Sequence, residues 1–377
     1  MTRSATAQTV KQKPEFERLQ QQYKELKHQQ PKLRPRNAAA VLQVSEAELL
    51  ACRGDINAVR LSEDWPGILS DVAELGDVMA LTRNQYCVHE RHGVYHNLSF
   101  FGSENDEKGE SPTMGMALNP DIDLRLFLSR WCFGFAVTEP LEFGERYSLQ
   151  FFDPQGVALH KIYLTAASDL SAYHRLVSRH RAERPLWPDV LPAKQQTPSN
   201  APTVVDISAL EQDWRALTDV HQFFPMLRKH KVERLTALQL MPVDLANQVP
   251  LGTVQVALQQ AACKGCDIMV FVSNHGCVQI HTGSVNNLRQ VGQWFNVLDE
   301  RFNLHLDASG IDQCWVTRKP SKDGVITAIE AYDANGELVV QLFGRRQQGE
   351  PELALWRDIV VACECALSPE GDFSCAS

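Results

Sequence analysis

Residues 77–98, DVMALTRNQYCVHERHGVYHNL, have a counterpart in residues 267–288, DIMVFVSNHGCVQIHTGSVNNL. The two stretches align without gaps at 8 identities in 22 positions: Asp, Met, Asn, Cys, Val, Gly, Asn and Leu. Further along, DLRLF around Arg125 matches NLHLD around His305. FFDPQG at 151–156 then matches AYDANG at 331–336, each ending in a turn that Asp and Gly favour. The matches keep their order, so the chain reads as a tandem duplication. Between Arg184 and Val204, prolines 185, 188, 192, 198 and 202 argue against regular structure and for an extended connector. The expected organisation is a polar N-terminal tail over 1–20, a first repeat over 21–184, a linker over 185–204 and a second repeat over 205–377.

Both halves share one texture. Helical stretches come first: EFERLQQQYKELKHQQ and AAAVLQVSEAELLA in one, and the segment beginning VDISALEQDW in the other. Short alternating runs follow, among them CWVTRKP and VITAIEAYDANGELVVQLFG, separated by turn signals at hairpin spacing. A closing helix is expected around SDLSAYHRLVSRHRAE and EPELALWRDIVVACECA. The expected class is α+β: two duplicated halves, each with an antiparallel sheet flanked by helices.

With 377 residues and 44% apolar content, the chain can bury a large core. A net charge of −9 argues against nucleic acid as a main partner. No apolar run is long enough to span a bilayer, and MTRSATAQTVKQKPEFERLQQQ has no apolar signal core. The expected location is the cytoplasm, where ten scattered cysteines suit free thiols. The Cys263/Cys266 and Cys363/Cys365 pairs lack a second ligand pair and read as incidental or buried thiols rather than a metal site.

The segment VDISALEQDWRALTDVHQFFPMLRKH carries a titratable side chain in an apolar pattern. Asp206 or Ser208 is the expected cap, with Ser208 and Glu211 spaced as a capping box. Leu210, Trp214, Leu217, Phe224 and Leu227 recur at helical spacing, and His221 falls on that stripe; Pro225 is expected to kink or end the helix. Two readings fit. His221 is a core histidine bonded to a carbonyl, or it faces a flat apolar ligand bearing carboxylates. Haem would satisfy the second, since imidazole binds its iron and Arg or Lys pairs its propionates.

LTDVHQFFPMLRKH, MVFVSNHGCVQIHTG, FNLHL, WVTRKPSKDG and QLFGRRQQGE closely resemble the bacterial hemin-degrading and haem-transfer proteins of the HemS/ChuS/HmuS type. NQYCVHE, NPDIDLRLFL and QFFDPQG extend the resemblance through the first half, from about Tyr23 to Glu364. The resemblance implies haem b between the halves, with His221 as axial iron ligand and Arg125 on the distal side as the catalytic group. It further implies that Phe127 and Phe271 line the pocket, that Arg234, Lys319 and Arg346 hold the propionates, and that Gln341 is a polar neighbour. His89 is a possible alternative ligand, with His281 and His305 weaker cases. Phe343 stands where relatives can carry Tyr, which removes a hydroxyl, and His275 has no assigned role. The implied activity is oxidative haem opening with iron release, using an external reductant and O2 or peroxide. The alternative is a carrier that accepts haem from an importer and passes it to a downstream acceptor, as a monomer or homodimer.

Overall fold

The computed structural model describes residues 5–53, 58–102, 112–183, 187–192, 205–346 and 349–365, with side chains from Phe16 onward. Most of the proline-rich connector lies outside them. The first half opens with α1 (Ala5–Gln29), α2 (Pro35–Leu42), α3 (Glu46–Ala51), β1 (Ala58–Leu61) and α4 (Trp65–Val72). Strands β2 (Gly76–Arg83), β3 (Cys87–Gly93), β4 (Leu98–Phe101), β5 (Met114–Leu118) and β6 (Asp123–Leu126) follow. The half ends on β7 (Phe133–Pro140), β8 (Glu145–Phe152), β9 (Ala158–Ser168) and α5 (Leu170–His180). The boundary expected after residue 20 falls inside α1, whose Leu19 and Leu26 are buried and whose Phe16 packs edge-on against Trp187.

The second half repeats the order. It comprises α6 (Ile207–Arg215), α7 (Phe223–Lys229), α8 (Arg234–Leu240), β10 (Ala246–Val249) and α9 (Thr253–Lys264). Then come β11 (Ile268–Asn274), β12 (Cys277–Gly283), β13 (Leu288–Val291), β14 (Trp294–Leu298) and β15 (Phe302–Asp307). Last are β16 (Gln313–Ser321), β17 (Gly324–Tyr332), β18 (Leu338–Gly344) and α10 (Ala354–Cys365).

Two nine-stranded antiparallel sheets with flanking helices are present, as the duplication implies. Their composition goes further: the halves exchange strands. One sheet runs β1-β7-β8-β9-β2-β3-β15-β14-β13, and the other β10-β16-β17-β18-β11-β12-β6-β5-β4. Each half therefore ends its neighbour's sheet with a three-stranded meander. The repeated Asn explains part of the internal identity. Asn84 Oδ1 accepts from the backbone N–H of Tyr86 and Cys87, while its Nδ2 reaches across to Ser273 O and Val339 O. Asn274 does the same with Gly276 and Cys277, and reaches back to Arg83 O and Leu159 O. Each side chain closes its own hairpin and bonds the other sheet. Gly276 lies so close to Leu159 that an added Cβ would meet its side-chain carbons at 2.5 Å. Helices α9 and α10 cover one face of the second sheet through Leu258, Trp356 and Ile359. Helices α6–α8 cover only the β16–β17 end of the other face, through Trp214 and Phe223 on Trp315 and Tyr332.

Candidate functional site

His221 does not sit on a continuous apolar helix. Asp206 caps α6 by accepting from Ala209 N–H, while the Ser208–Glu211 box does not form, and α6 ends at Arg215. A single 3-10 turn, Val220–Gln222, then carries His221 before α7 starts. Pro225 lies in the first turn of α7, where its missing N–H costs nothing. The core stripe passes instead through Phe223, Met226 and Leu227, leaving Phe224 and His221 outside. The His221 side chain is 87% exposed, which overturns the core-histidine reading.

Asp219, which the sequence reading passed over, organises this turn. Its Oδ1 accepts from His221 N–H at 2.8 Å and from Nδ1 at 2.7 Å. A carboxylate can only accept, so the imidazole carries its proton on Nδ1 and turns the Nε2 lone pair outward. Nε2 has no hydrogen-bond partner among the described residues. The hydrogen bonds from His221, with the Arg346 charge behind them, hold the Asp219 carboxyl below its ordinary range. The turn is tied to the β16–β17 hairpin by Lys322 N–H donating to Thr218 O. Together they enclose a cavity of about 360 Å³, lined by Asp219, His221, Met269, Lys322 and Arg346 among others.

Beyond the cavity the same sheet face continues across β18, β11, β12 and β6, where Met269, Phe271, Val278, Phe343 and Arg125 are half-buried and Gln341 and Ile280 are buried. Directly opposed residues of antiparallel strands share a face. Phe271 lies opposite Gln341 and Ile280, Met269 opposite Phe343, and Val278 opposite Arg125. The expected pocket residues Phe271, Gln341 and Arg125 therefore line one surface with Met269, although they do not wall the His221 cavity. Phe127 follows β6 in the same alternation, half-buried like Arg125. Phe343 packs its ring on Phe271 at 4.9 Å, occupying the space without offering a hydroxyl. Arg125 is 33% exposed and ion-paired to Asp123. This strand belongs to the first half, so the surface is assembled by both repeats.

Arg234 and Lys319 lie deeper than expected, on Glu330. Glu330 accepts from Arg234 Nε at 2.9 Å and Nη2 at 2.6 Å, from Lys319 Nζ at 2.8 Å, and from Thr317 and Tyr332 hydroxyls. Burial alone would raise this carboxyl; Arg234 and then Lys319 overcome it and hold it well below its usual range. For Lys319 burial wins, and its ammonium is pulled down to about 8. Two cations on one carboxylate leave one positive charge in excess. Lys319 and Arg234 also lie over the Phe223 ring, at 4.7 and 5.5 Å. Arg346 alone of the three expected cations lines the His221 cavity.

The other histidines are elsewhere. His89 is fully buried on β3, with neither ring nitrogen bonded, and burial pushes it well below its ordinary value. It is a core residue packed near Phe302. His281 stacks on the same Phe302 ring at 3.8 Å. His275 contacts Asp153 of the first half at 2.9 Å.

Comparisons with known proteins agree with this architecture. The family model described as "Haemin-degrading HemS.ChuX domain" matches residues 43–180 and 231–362. Hemin transport protein HmuS of Yersinia pestis is 39% identical over 345 residues, covering 90% of this chain and 95% of that protein. The holo crystal structure of PhuS, a heme-binding protein from Pseudomonas aeruginosa, is 45% identical with a TM-score of 0.86, covering 91% of this chain and 97% of that one. ChuS, described as an E. coli heme oxygenase, is 37% identical with a TM-score of 0.80, covering 92% and 99%. The chain belongs to the family of haemin-degrading HemS/ChuX-domain proteins.

Proposed function

We propose that this chain binds haem against the half-buried face of the second sheet beside the His221 cavity, with His221 as axial ligand, and opens the macrocycle oxidatively to release iron. One observation carries the reading: Asp219 fixes the imidazole tautomer and leaves Nε2 free at the lip of a cavity. A metal-binding histidine characteristically hands its other N–H to a carboxylate in this way. The residues present suit the group. Met269, Phe271 and Phe343 offer an apolar floor, and Arg346 a cation for a propionate. Arg234 and Lys319 pair a propionate only while also holding Glu330.

Bound haem would supply redox-active iron, with an external reductant and O2 or peroxide as co-substrates. The chain's own contribution is positional. Asp219 orients the His221 ring. Arg125 presents a guanidinium that stays charged and stabilises negative charge without shuttling protons. Gln341 offers a polar contact, and Phe127 and Phe271 exclude water from the apolar face. The proposed setting is cytoplasmic, with two repeats flanking the connector at 185–204.

A second reading, that the chain carries haem from an importer to an acceptor, draws on the 87% exposure of His221, which suits ligand hand-over. The relatives named hemin transport proteins favour it too. Hemin titration followed by ascorbate with catalase present separates the two. Loss of the Soret band with a defined linear tetrapyrrole and free iron supports degradation. A stable one-to-one complex supports the carrier, and no saturable binding sinks both.

A further inference from the structure

The corresponding face of the first sheet encloses a larger cavity, of about 540 Å³. Strand registers give the correspondence. His305 lies opposite Val88 as Arg125 lies opposite Val278. Lys161 faces Leu81 as Gln341 faces Phe271, and Gln150 faces Phe135 as Glu330 faces Trp315. Helices α2 and α7, helices α3 and α8, and strands β1 and β10 each begin 188 residues apart. The same offset puts Leu33 where the second half has His221, so the iron-binding side chain has no counterpart.

The charges are redistributed as well. Glu46 starts α3 where Arg234 starts α8, and Gln150 replaces Glu330. Two of the three carboxylates lining this wall are already engaged by cations. Glu139 pairs with Arg53 at 2.9 Å and Arg146 at 2.6 Å, and Glu46 with Lys161 at 3.4 Å. His305 gives Nδ1 to Asn296 Oδ1 and sets Nε2 near Glu90. Three lining guanidiniums, of Arg34, Arg36 and Arg83, make no ion pair among the described residues. Arg36 donates to Asn84 O and the Gln85 side chain, and Arg83 to Asn84 O. Burial, and then Arg36 and Arg34, pull Arg83 down to about 10 against the opposing charge of Glu46. These cations crowd one another around an open volume, and no carboxylate among the described residues is paired directly to any of them. Leu81, Val88 and Tyr163 are among the apolar and aromatic residues lining the same cavity.

We propose that the first-half cavity is a second, iron-independent site for an amphipathic organic anion, whose carboxylates meet Arg34, Arg36 and Arg83 while its apolar body lies on Leu81, Val88 and Tyr163. The chemistry is that of bidentate guanidinium–carboxylate pairing beside an apolar wall. It does not depend on the haem reading.

Biliverdin, a linear tetrapyrrole dicarboxylate, is the probe, titrated into full-length protein by absorbance and intrinsic fluorescence. One equivalent should bind, at least tenfold more weakly in the Arg36→Gln/Arg83→Gln variant and unchanged in His221→Ala. Millimolar inorganic phosphate should compete poorly, because it lacks the apolar body. Arg36→Gln alone, at a partly exposed position, should weaken binding about threefold and serves if the double variant does not fold. Absent saturable binding, or binding lost in His221→Ala but kept in the arginine variants, would overturn the proposal. So would full displacement by phosphate at matched concentration.

Discussion

At the scale of single residues, availability is set by neighbours rather than by residue type. His221 is open because the chain breaks between α6 and α7 and because Asp219 takes its Nδ1 proton. His89, the possible alternative ligand, faces the core and is unbonded. The helical stripe placed His221 on a core face because it took the segment as one continuous helix, whereas the helix ends at Arg215. The signal that was available is the Asp two residues before His221, a residue type that caps short turns. Replacing an exposed side chain such as His221 by Ala should move unfolding free energy by no more than about 0.5 kcal/mol in a denaturant melt. Arg125→Ala should slow ascorbate-driven loss of the Soret band about tenfold or more while changing hemin affinity less than threefold. Equal losses in both would assign Arg125 to binding alone.

At the scale of elements, the β16–β17 ladder holds a charge cluster that sequence could not assemble. Lys319 and Arg234 were legible as cations; Glu330 was not legible as their partner, because register across a hairpin decides which residues face each other. Glu330→Gln leaves two buried cations without a carboxylate and should cost about 3–5 kcal/mol in urea unfolding. Lys319→Met added to it should recover part of that loss, and no recovery would mean the cations do not repel there. Glu352 gives a pH test. It is buried, accepts Thr327 N–H at 3.0 Å, and burial raises its carboxyl to about 7 from an ordinary 4.5. The raised value means that the native state favours the protonated form. That contribution is complete below pH 4.5 and is lost as pH rises through 7. Glu352→Gln should therefore gain stability over the parent between pH 4.5 and 8, by on the order of 1–3 kcal/mol. A pH-independent difference would contradict the assignment.

At the scale of the whole molecule, duplication was readable because 22-residue motifs repeat in order, but strand exchange was not. Nothing in the alternation of β4–β6 says which sheet they join; that depends on Cys277–Ile280 offering an edge to Asp123–Leu126. The exchange explains how a first-half arginine reaches a second-half surface. It also joins the cores, since Cys87 packs with second-half residues and Cys277 with first-half ones. The halves should then unfold together: calorimetry should give one transition whose van't Hoff and calorimetric enthalpies agree. Two resolved transitions would show that the exchanged strands do not couple the repeats.

If His221 presents Nε2 to haem iron, hemin titrations of the parent protein and His221→Ala, followed by absorbance, should differ sharply. A one-to-one complex is expected whose Soret band shifts in the variant, with affinity weakened at least tenfold and an unchanged melting temperature. Superimposable spectra and equal affinities would contradict that ligation.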